Sequence, residues 1–318
     1  MINKMDVAGR SRTPFLFAID FEMHEGLFIE NPLRQTHVLF DINGVVNAEM
    51  AHAPPAAFQF ERYPENFETY KKRFDHVMEA LRRGETSLLN LTIKTPIKTS
   101  LPLYDIFRYS KAKYRLYVPE RFVCFSPERF VQIKNGKIFT HPMKGTIDAG
   151  LPNAAETLLN DRKEAAEHRT SIELISDDLT RVASCVKVNR FRYIDTLKTH
   201  CGNILQTSSE VEGTLPADHL QRLGTLLFKL LPAGSILGKP REATLRVTRE
   251  AEQQPRGFYS GVAGYFDGEE LDSGVLIRFI EQDGGELYFR SGGGITVDSQ
   301  CEREYREAIQ KVYLAFKQ

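Results

Sequence analysis

The dipeptide Asn135-Gly136, set between Val131-Gln-Ile-Lys134 and Lys137-Ile-Phe-Thr140, constrains this chain more than any other stretch. Both flanking runs have the alternation of strands, and Asn-Gly supplies the left-handed residues of a two-residue turn, so the stretch predicts a tight antiparallel hairpin. Such a hairpin folds together the segments on either side of it, Ser126-Pro-Glu-Arg-Phe130 and His141-Pro-Met-Lys-Gly-Thr146. A carboxylic acid, Glu128, and an amine, Lys144, sixteen positions apart, are thereby expected to flank one pocket as acid and nucleophile.

The rest of the chain comes in blocks of strands and blocks of helices. Strand-like runs are expected at Phe15 to Phe21, Gly26 to Glu30 and Val38 to Asp41, with a loop at Ala51 to Ala57. A helix from about Pro64 to Arg83 follows from the spacing of Phe67, Tyr70, Phe74, Val77, Met78 and Leu81, with Gly84 as a stop. Strands are expected at Ser87 to Lys94 and Tyr114 to Val118. After the hairpin come a helix over Asn153 to His168 and a second helical set carrying Ile172, Ile175, Leu179 and Val182. Strands return at Val186 to Ile194 and Asn203 to Leu215. Helices are expected near Asp218 to Leu231 and through Glu252, strands at Phe258 to Asp267, Gly274 to Glu281 and Glu286 to Arg290, and a last helix from Gln300 to Phe316. No linker or repeat divides the chain, so it reads as one α+β domain with mostly antiparallel sheets.

Lysine plus arginine and aspartate plus glutamate both number 42, so no global field attracts nucleic acid or an anionic membrane, and any anion site must be local. Cys124, Cys185, Cys201 and Cys301 show no CxxC pairing, which argues against a zinc site and a disulfide framework and for a reduced, cytoplasmic protein. The apolar run ending at Asp20 is too short for an export signal, and no segment has membrane length.

Three further motifs are ambiguous by themselves. Gly234-Ser-Ile-Leu-Gly238-Lys-Pro has one residue too few between its glycines for a nucleotide loop, and proline follows the lysine where a magnesium-binding hydroxyl belongs, although its backbone amides remain suited to a carboxylate. Ser291-Gly-Gly-Gly-Ile295 is either a plain turn or a nest of amides for an anion. Glu304, Glu307 and Lys311 share a stripe of the last helix, as a solvated ion-pair face or as ligands; Glu167 near a helix end is equally open. Two such carboxylates can hold a hard cation that keeps most of its waters.

Taken in order, these motifs, with Glu173-Leu-Ile-Ser-Asp-Asp-Leu-Thr-Arg181, Arg256-Gly-Phe-Tyr-Ser-Gly-Val-Ala-Gly-Tyr265 and Ile277-Arg278, resemble the chorismate-utilising enzymes from about Pro64 to the C-terminus. That family includes the first components of anthranilate synthase and of aminodeoxychorismate synthase, and the isochorismate and salicylate synthases. The resemblance implies two large packed antiparallel sheets with outer helices. It implies Glu167 and Glu307 as ligands of Mg2+, and Tyr265, Arg278, Gly293, Gly294, Lys311, Ser235, Gln206 and Thr146 as substrate-binding positions. Aminodeoxychorismate synthases have lysine where this chain has Lys144, and anthranilate synthases have alanine there. The implied activity is therefore formation of 4-amino-4-deoxychorismate from chorismate and ammonia, on the route to p-aminobenzoate and folate. Lys144 would be the covalent nucleophile and Glu128 the general acid, with anthranilate synthesis as the alternative. Isochorismate and salicylate synthases activate water with a lysine where this chain has Leu88, which cannot serve as a base.

No glutaminase motif occurs in the chain, so ammonia is expected from a separate glutamine amidotransferase subunit or from free ammonium. Several positions depart from the family pattern. Its Arg-Asn-Asp is Ser176-Asp177-Asp178, its Gly-Ser-Ile-Thr-Gly-Ala-Pro-Lys carries Leu237, Lys239 and Arg241, a histidine is Gln206, and a threonine is Phe279. Gln206 can donate a hydrogen bond to a carboxylate but cannot act as acid or base. The segment before the match, about residues 1 to 60, is short, and the chain has no tryptophan, so tryptophan feedback is not expected.

Overall fold

The computed structural model describes residues 1–51, 54–55, 57–199 and 202–316. Among these residues the strands form two antiparallel sheets, of nine and eight strands. The first runs Met143–Asp148, Gly202–Thr214, Lys137–Thr140, Arg129–Lys134, Leu271–Val275, Val262–Phe266, Phe15–Ile19, Gly26–Glu30, with Ser184–Thr199 also paired to Gly202–Thr214. The second runs Val45–Val46, Leu39–Ile42, Tyr114–Val118, Phe122–Ser126, Phe279–Asp283, Glu286–Ile295, Leu89–Thr99, Phe60–Arg62. The expected hairpin is present: Lys134 faces Lys137 and Ile133 faces Ile138, with φ of 51° at Asn135 and 70° at Gly136.

The run Phe15–Ile19 shows why the sheets stack. Successive side chains point to opposite faces. Phe15, Phe17 and Ile19 pack with Val131, Ile133 and Ile138 beneath Met5, Leu226, Leu227 and Leu179. Leu16 and Ala18 instead join Phe40, Tyr114, Leu116 and Phe279 of the second sheet. A strand buried on both faces reads as continuous apolar sequence, and all five residues of this one are buried. Helices Phe67–Arg82, Arg241–Glu252 and Cys301–Gln310 cover the other face of the second sheet through Leu89, Leu91 and Ile93.

Several helices differ from the pattern reading. The chain breaks at Asp161 and then continues as one helix, Arg162–Thr180, because the Asp161 carboxylate accepts the Glu164 N–H at 3.0 Å and caps a new start. The last helix stops at Gln310, since Val312 and Phe316 leave it to pack against Ile106, Phe107 and Phe125. Helix Ile2–Ser11, which periodicity did not mark, docks Met5 and Ala8 on the first sheet. No helix among the described residues is long and apolar enough to cross a membrane. Cys124, Cys185 and Cys301 are free thiols, and Cys201 lies outside the described residues, as do parts of the expected 51–57 loop.

Candidate active site

Ser126 ends a strand of the second sheet and Arg129 begins a strand of the first, so Pro127 and Glu128 form the step from one sheet to the other. The step is fixed at both ends: the Ser126 hydroxyl accepts the Glu128 N–H at 3.1 Å, and the Glu128 carbonyl accepts the Val275 N–H at 3.1 Å. The neighbouring Arg129 is pinned by Asp272 through Nε at 3.2 Å and Nη2 at 3.0 Å, while Tyr114 donates to the same carboxylate at 2.8 Å. Glu128 is half-buried, with the Ser235 hydroxyl donating to its Oε1 at 2.8 Å. Burial pushes its carboxyl up from the ordinary range, against the opposing pull of the Ser235 hydrogen bond and the charges of Lys144, Arg278 and Lys311. A carboxylic acid raised in this way keeps its proton to higher pH than an ordinary one, which favours a role as proton donor.

Lys144 lies on Met143–Asp148, where the register against Gly202–Thr214 shifts between Lys144 and Thr146. Gly145, at φ 68°, takes the left-handed conformation this bulge needs. The Lys144 carbonyl accepts from Thr207 Oγ1, and its amine has no hydrogen-bond or ion-pair partner among the described residues. The Lys144 charge registers at Glu128, at Glu307 and at the buried ring of His168, which burial holds down at about 4 with Arg192 and Lys144 adding to the effect. Glu128, Lys144, Gln206 and Ser235 line one cavity of about 190 Å³, walled by Phe130, Ile175, Leu179 and Leu230.

Gly292, Gly293 and Gly294 lie on the strand Glu286–Ile295, opposite Thr92, Leu91 and Asn90. A Cβ on Gly293 would stand 3.5 Å from Glu304 Oε2, 3.7 Å from Lys311 Nζ and 3.9 Å from Glu307 Oε1, so three charged groups converge there. Lys311 donates to the Gly292 carbonyl at 2.9 Å and pairs with Glu307 at 2.7 Å. Leu88 contacts Gly294, a Cβ on which would meet its Cδ1 at 3.2 Å. Arg278, at φ 54°, lies over the Tyr313 ring with 5.4 Å to its centroid.

Tyr265 and Thr146 are not among the residues lining the cavity of Glu128 and Lys144. Tyr265 faces the second sheet and stacks on Phe40 at 5.7 Å, because it alternates along its strand with Phe266, which is buried on the opposite face; it is a core residue. The buried tyrosine that feels the Arg278 charge is Tyr259, its phenol pushed up to about 12 by burial. Thr146, past the bulge, is exposed opposite Gln206.

Glu304 and Glu307 are the carboxylates that meet beside Gly293. Burial first, and the Glu307 charge second, push the Glu304 carboxyl up. Burial works against the charge of Glu307, but the pairing with Lys311, with Arg303 and Lys144 nearby, outweighs it and keeps the carboxylate low. Glu167 is half-buried on Arg162–Thr180, directly before His168. No group of three or more His, Cys, Asp or Glu side chains gathers as a metal cluster among the described residues.

Pattern reading gave Asp178 and Arg241 no role, although both lie inside motifs it singled out. The Asp178 carboxylate lies directly against Gly234: a Cβ there would overlap Oδ2 and sit 3.2 Å from Cγ. Arg241 pairs with Asp178 at 2.8 Å, and Lys239 with Asp177 at 2.5 Å.

Residues 29–317 match the model of the chorismate-binding enzymes. The chain belongs to that family. Its members act on chorismate, and the chorismate-binding fold is what the two stacked sheets represent. An uncharacterized PabA-like protein of Pasteurella multocida is 48% identical over 320 residues, covering 98% of this chain and 97% of the relative. One of Haemophilus influenzae is 46% identical, covering 96% and 93%. Aminodeoxychorismate synthase component 1 of Bacillus subtilis is 28% identical, covering 86% of this chain and 60% of that protein. Among solved structures, a putative 2,3-dihydroxybenzoate-specific isochorismate synthase of Bacillus anthracis shares the fold with a TM-score of 0.71 at 19% identity, over 97% of this chain and 85% of that one. Anthranilate synthase component I of Streptococcus pneumoniae aligns with a TM-score of 0.67 at 26% identity, over 79% and 58%.

Proposed function

We propose that this chorismate-binding enzyme is the first component of an aminodeoxychorismate synthase. The observation that carries the reading is Lys144, an amine without a side-chain partner among the described residues, in the same cavity as the raised acid Glu128. As the free amine, Lys144 attacks ring carbon C2 of chorismate and gives up one proton to solvent; both ring double bonds shift, C1=C2 to C1=C6 and C5=C6 to C4=C5, and the C4 hydroxyl leaves as water on taking the Glu128 proton. Ammonia then adds at C4, both ring double bonds return to their original places, and the lysine amine is expelled from C2 with the proton that ammonia loses, giving 4-amino-4-deoxychorismate and restoring the nucleophile.

Arg278, Lys311 and the backbone of Gly293 and Gly294 are suited to the substrate's two carboxylates. Glu307 and Glu167, with Glu304 alongside, would hold Mg2+, which when bound neutralises the ring carboxylate. Ammonia is supplied by a separate glutamine amidotransferase subunit or by ammonium.

The purified chain is incubated with chorismate, Mg2+ and ammonium, and products are separated by liquid chromatography and mass spectrometry. The expected product is 4-amino-4-deoxychorismate, with glutamine unable to replace ammonium for the chain alone. Anthranilate with pyruvate as the product would overturn the assignment. With ammonia withheld, intact protein should gain the mass of chorismate less one water. Lys144→Ala should lose both that adduct and the product, and full activity in this variant would remove the covalent role.

A further inference from the structure

We propose that Asp178 is a positioning residue that fixes the Ser235 hydroxyl against Glu128. The proposal rests on the reading of Glu128 as the proton donor. Ser235 sits in the short helical turn Gly234–Leu237, which follows Leu223–Leu230 after a three-residue bend. A segment this short has little stability of its own. Its position has to come from its surroundings, and these are unusually specific.

Asp178 is buried on Arg162–Thr180 and lines the same cavity as Glu128 and Ser235. Its carboxylate occupies the space a side chain on residue 234 would need, so Gly234 alone permits the approach. Arg241 closes the arrangement: Nη2 pairs with Asp178 at 2.8 Å and donates to the Leu230 carbonyl at 3.1 Å, and Nη1 donates to the Pro232 carbonyl at 2.7 Å. One guanidinium thus ties the entry to the turn, from Leu230 to Pro232, to the carboxylate that borders its first residue. The planar fork suits this multiple contact in a way a lysine would not. Ser235 follows directly and reaches Glu128 at 2.8 Å. The neighbouring Lys239–Asp177 pair is a poorer brace, since 71% of the Asp177 side chain is exposed.

A hydroxyl donating to a carboxylate favours the charged form. The groups facing Glu128 are Ser235 and, by charge, Lys144, Arg278 and Lys311. If Ser235 is released, those three charges remain and one stabiliser of the carboxylate is gone, so the acid holds its proton to higher pH. An acid that must be protonated to act then loses activity at a more alkaline pH, while poorer alignment lowers the rate.

The test is the pH dependence of kcat and KM for ammonium-dependent chorismate consumption in wild type, Ser235→Ala, Asp178→Asn and their double variant. Each single change should lower kcat about tenfold with KM within about twofold, and move the alkaline limb up by about one pH unit. The double variant should be no worse than Ser235→Ala. Additive losses, or an unmoved limb in Asp178→Asn, overturn the proposal. If Asp178→Asn fails to fold, Arg241→Lys gives the same readout with the charge retained, and an unmoved limb there also overturns it. Glu128→Gln separates the two levels. If it keeps the wild-type rate and limb, the acid assignment has failed; if it abolishes turnover while Asp178→Asn leaves the limb in place, the positioning role alone has failed.

Discussion

Asp272→Asn is expected to loosen the step that carries Glu128. The Asp272 carboxylate receives Tyr114 and Arg129 Nε on Oδ1, and Asn43 at 2.9 Å and Arg129 Nη2 at 3.0 Å on Oδ2. Only 15% of its side chain and 17% of that of Arg129 is exposed. An asparagine presents an NH2 group to one of these two sets, so Arg129 meets a donor whichever way the amide turns. It also leaves the buried guanidinium without its counter-charge, a change that typically costs about 3–5 kcal/mol. For a chain of 318 residues, about 1 kcal/mol shifts Tm by roughly 1.5 °C, so a drop of about 5 °C or more is expected in differential scanning calorimetry. Because Arg129 follows Glu128 directly, kcat should fall more than KM rises. Arg129→Met should reproduce the loss, and the double variant should lose less than the two single changes together. A Tm within about 1 °C of wild type for Asp272→Asn would refute the reasoning, since it would mean that this network does not hold the step.

Gly293→Ala should fold normally, because an added Cβ meets nothing nearer than 3.5 Å, yet raise KM for chorismate about tenfold or more by blocking the approach of a carboxylate to the backbone; thermal melting together with steady-state kinetics checks both halves. Arg256→Met strips the counter-charge from the buried Glu252, which it holds at 2.8 Å and 2.9 Å, and should cost about 3–5 kcal/mol in urea unfolding.

The hairpin at Asn135-Gly136 was legible because its turn needs two residues with positive φ, and few dipeptides meet that need. The helix junction at Asp161 was not, because the signal there is a single capping carboxylate inside a run whose polarity pattern barely changes. For the candidate site, Glu128 and Lys144 could be paired from spacing around that hairpin, and both do border one cavity. Tyr265 and Tyr259 show the limit of such reading. Both are buried in one core cluster, but Tyr265 stacks on Phe40 inside its strand, whereas Tyr259 precedes that strand and feels Arg278. The contact of Asp178 with Gly234 joins residues far apart in the chain, and no local pattern encodes it.

The Lys239–Asp177 and Arg241–Asp178 bridges bear on how such motifs diverge. Against the family pattern, an aspartate in place of asparagine on one segment meets a lysine in place of alanine on the other, so the two substitutions cancel in charge across the contact. Grafting either segment alone into a relative would give up this surface pairing, since the host offers a neutral neighbour. Chimeras between branches should therefore exchange residues 176–178 and 237–241 together, as one transferable cassette.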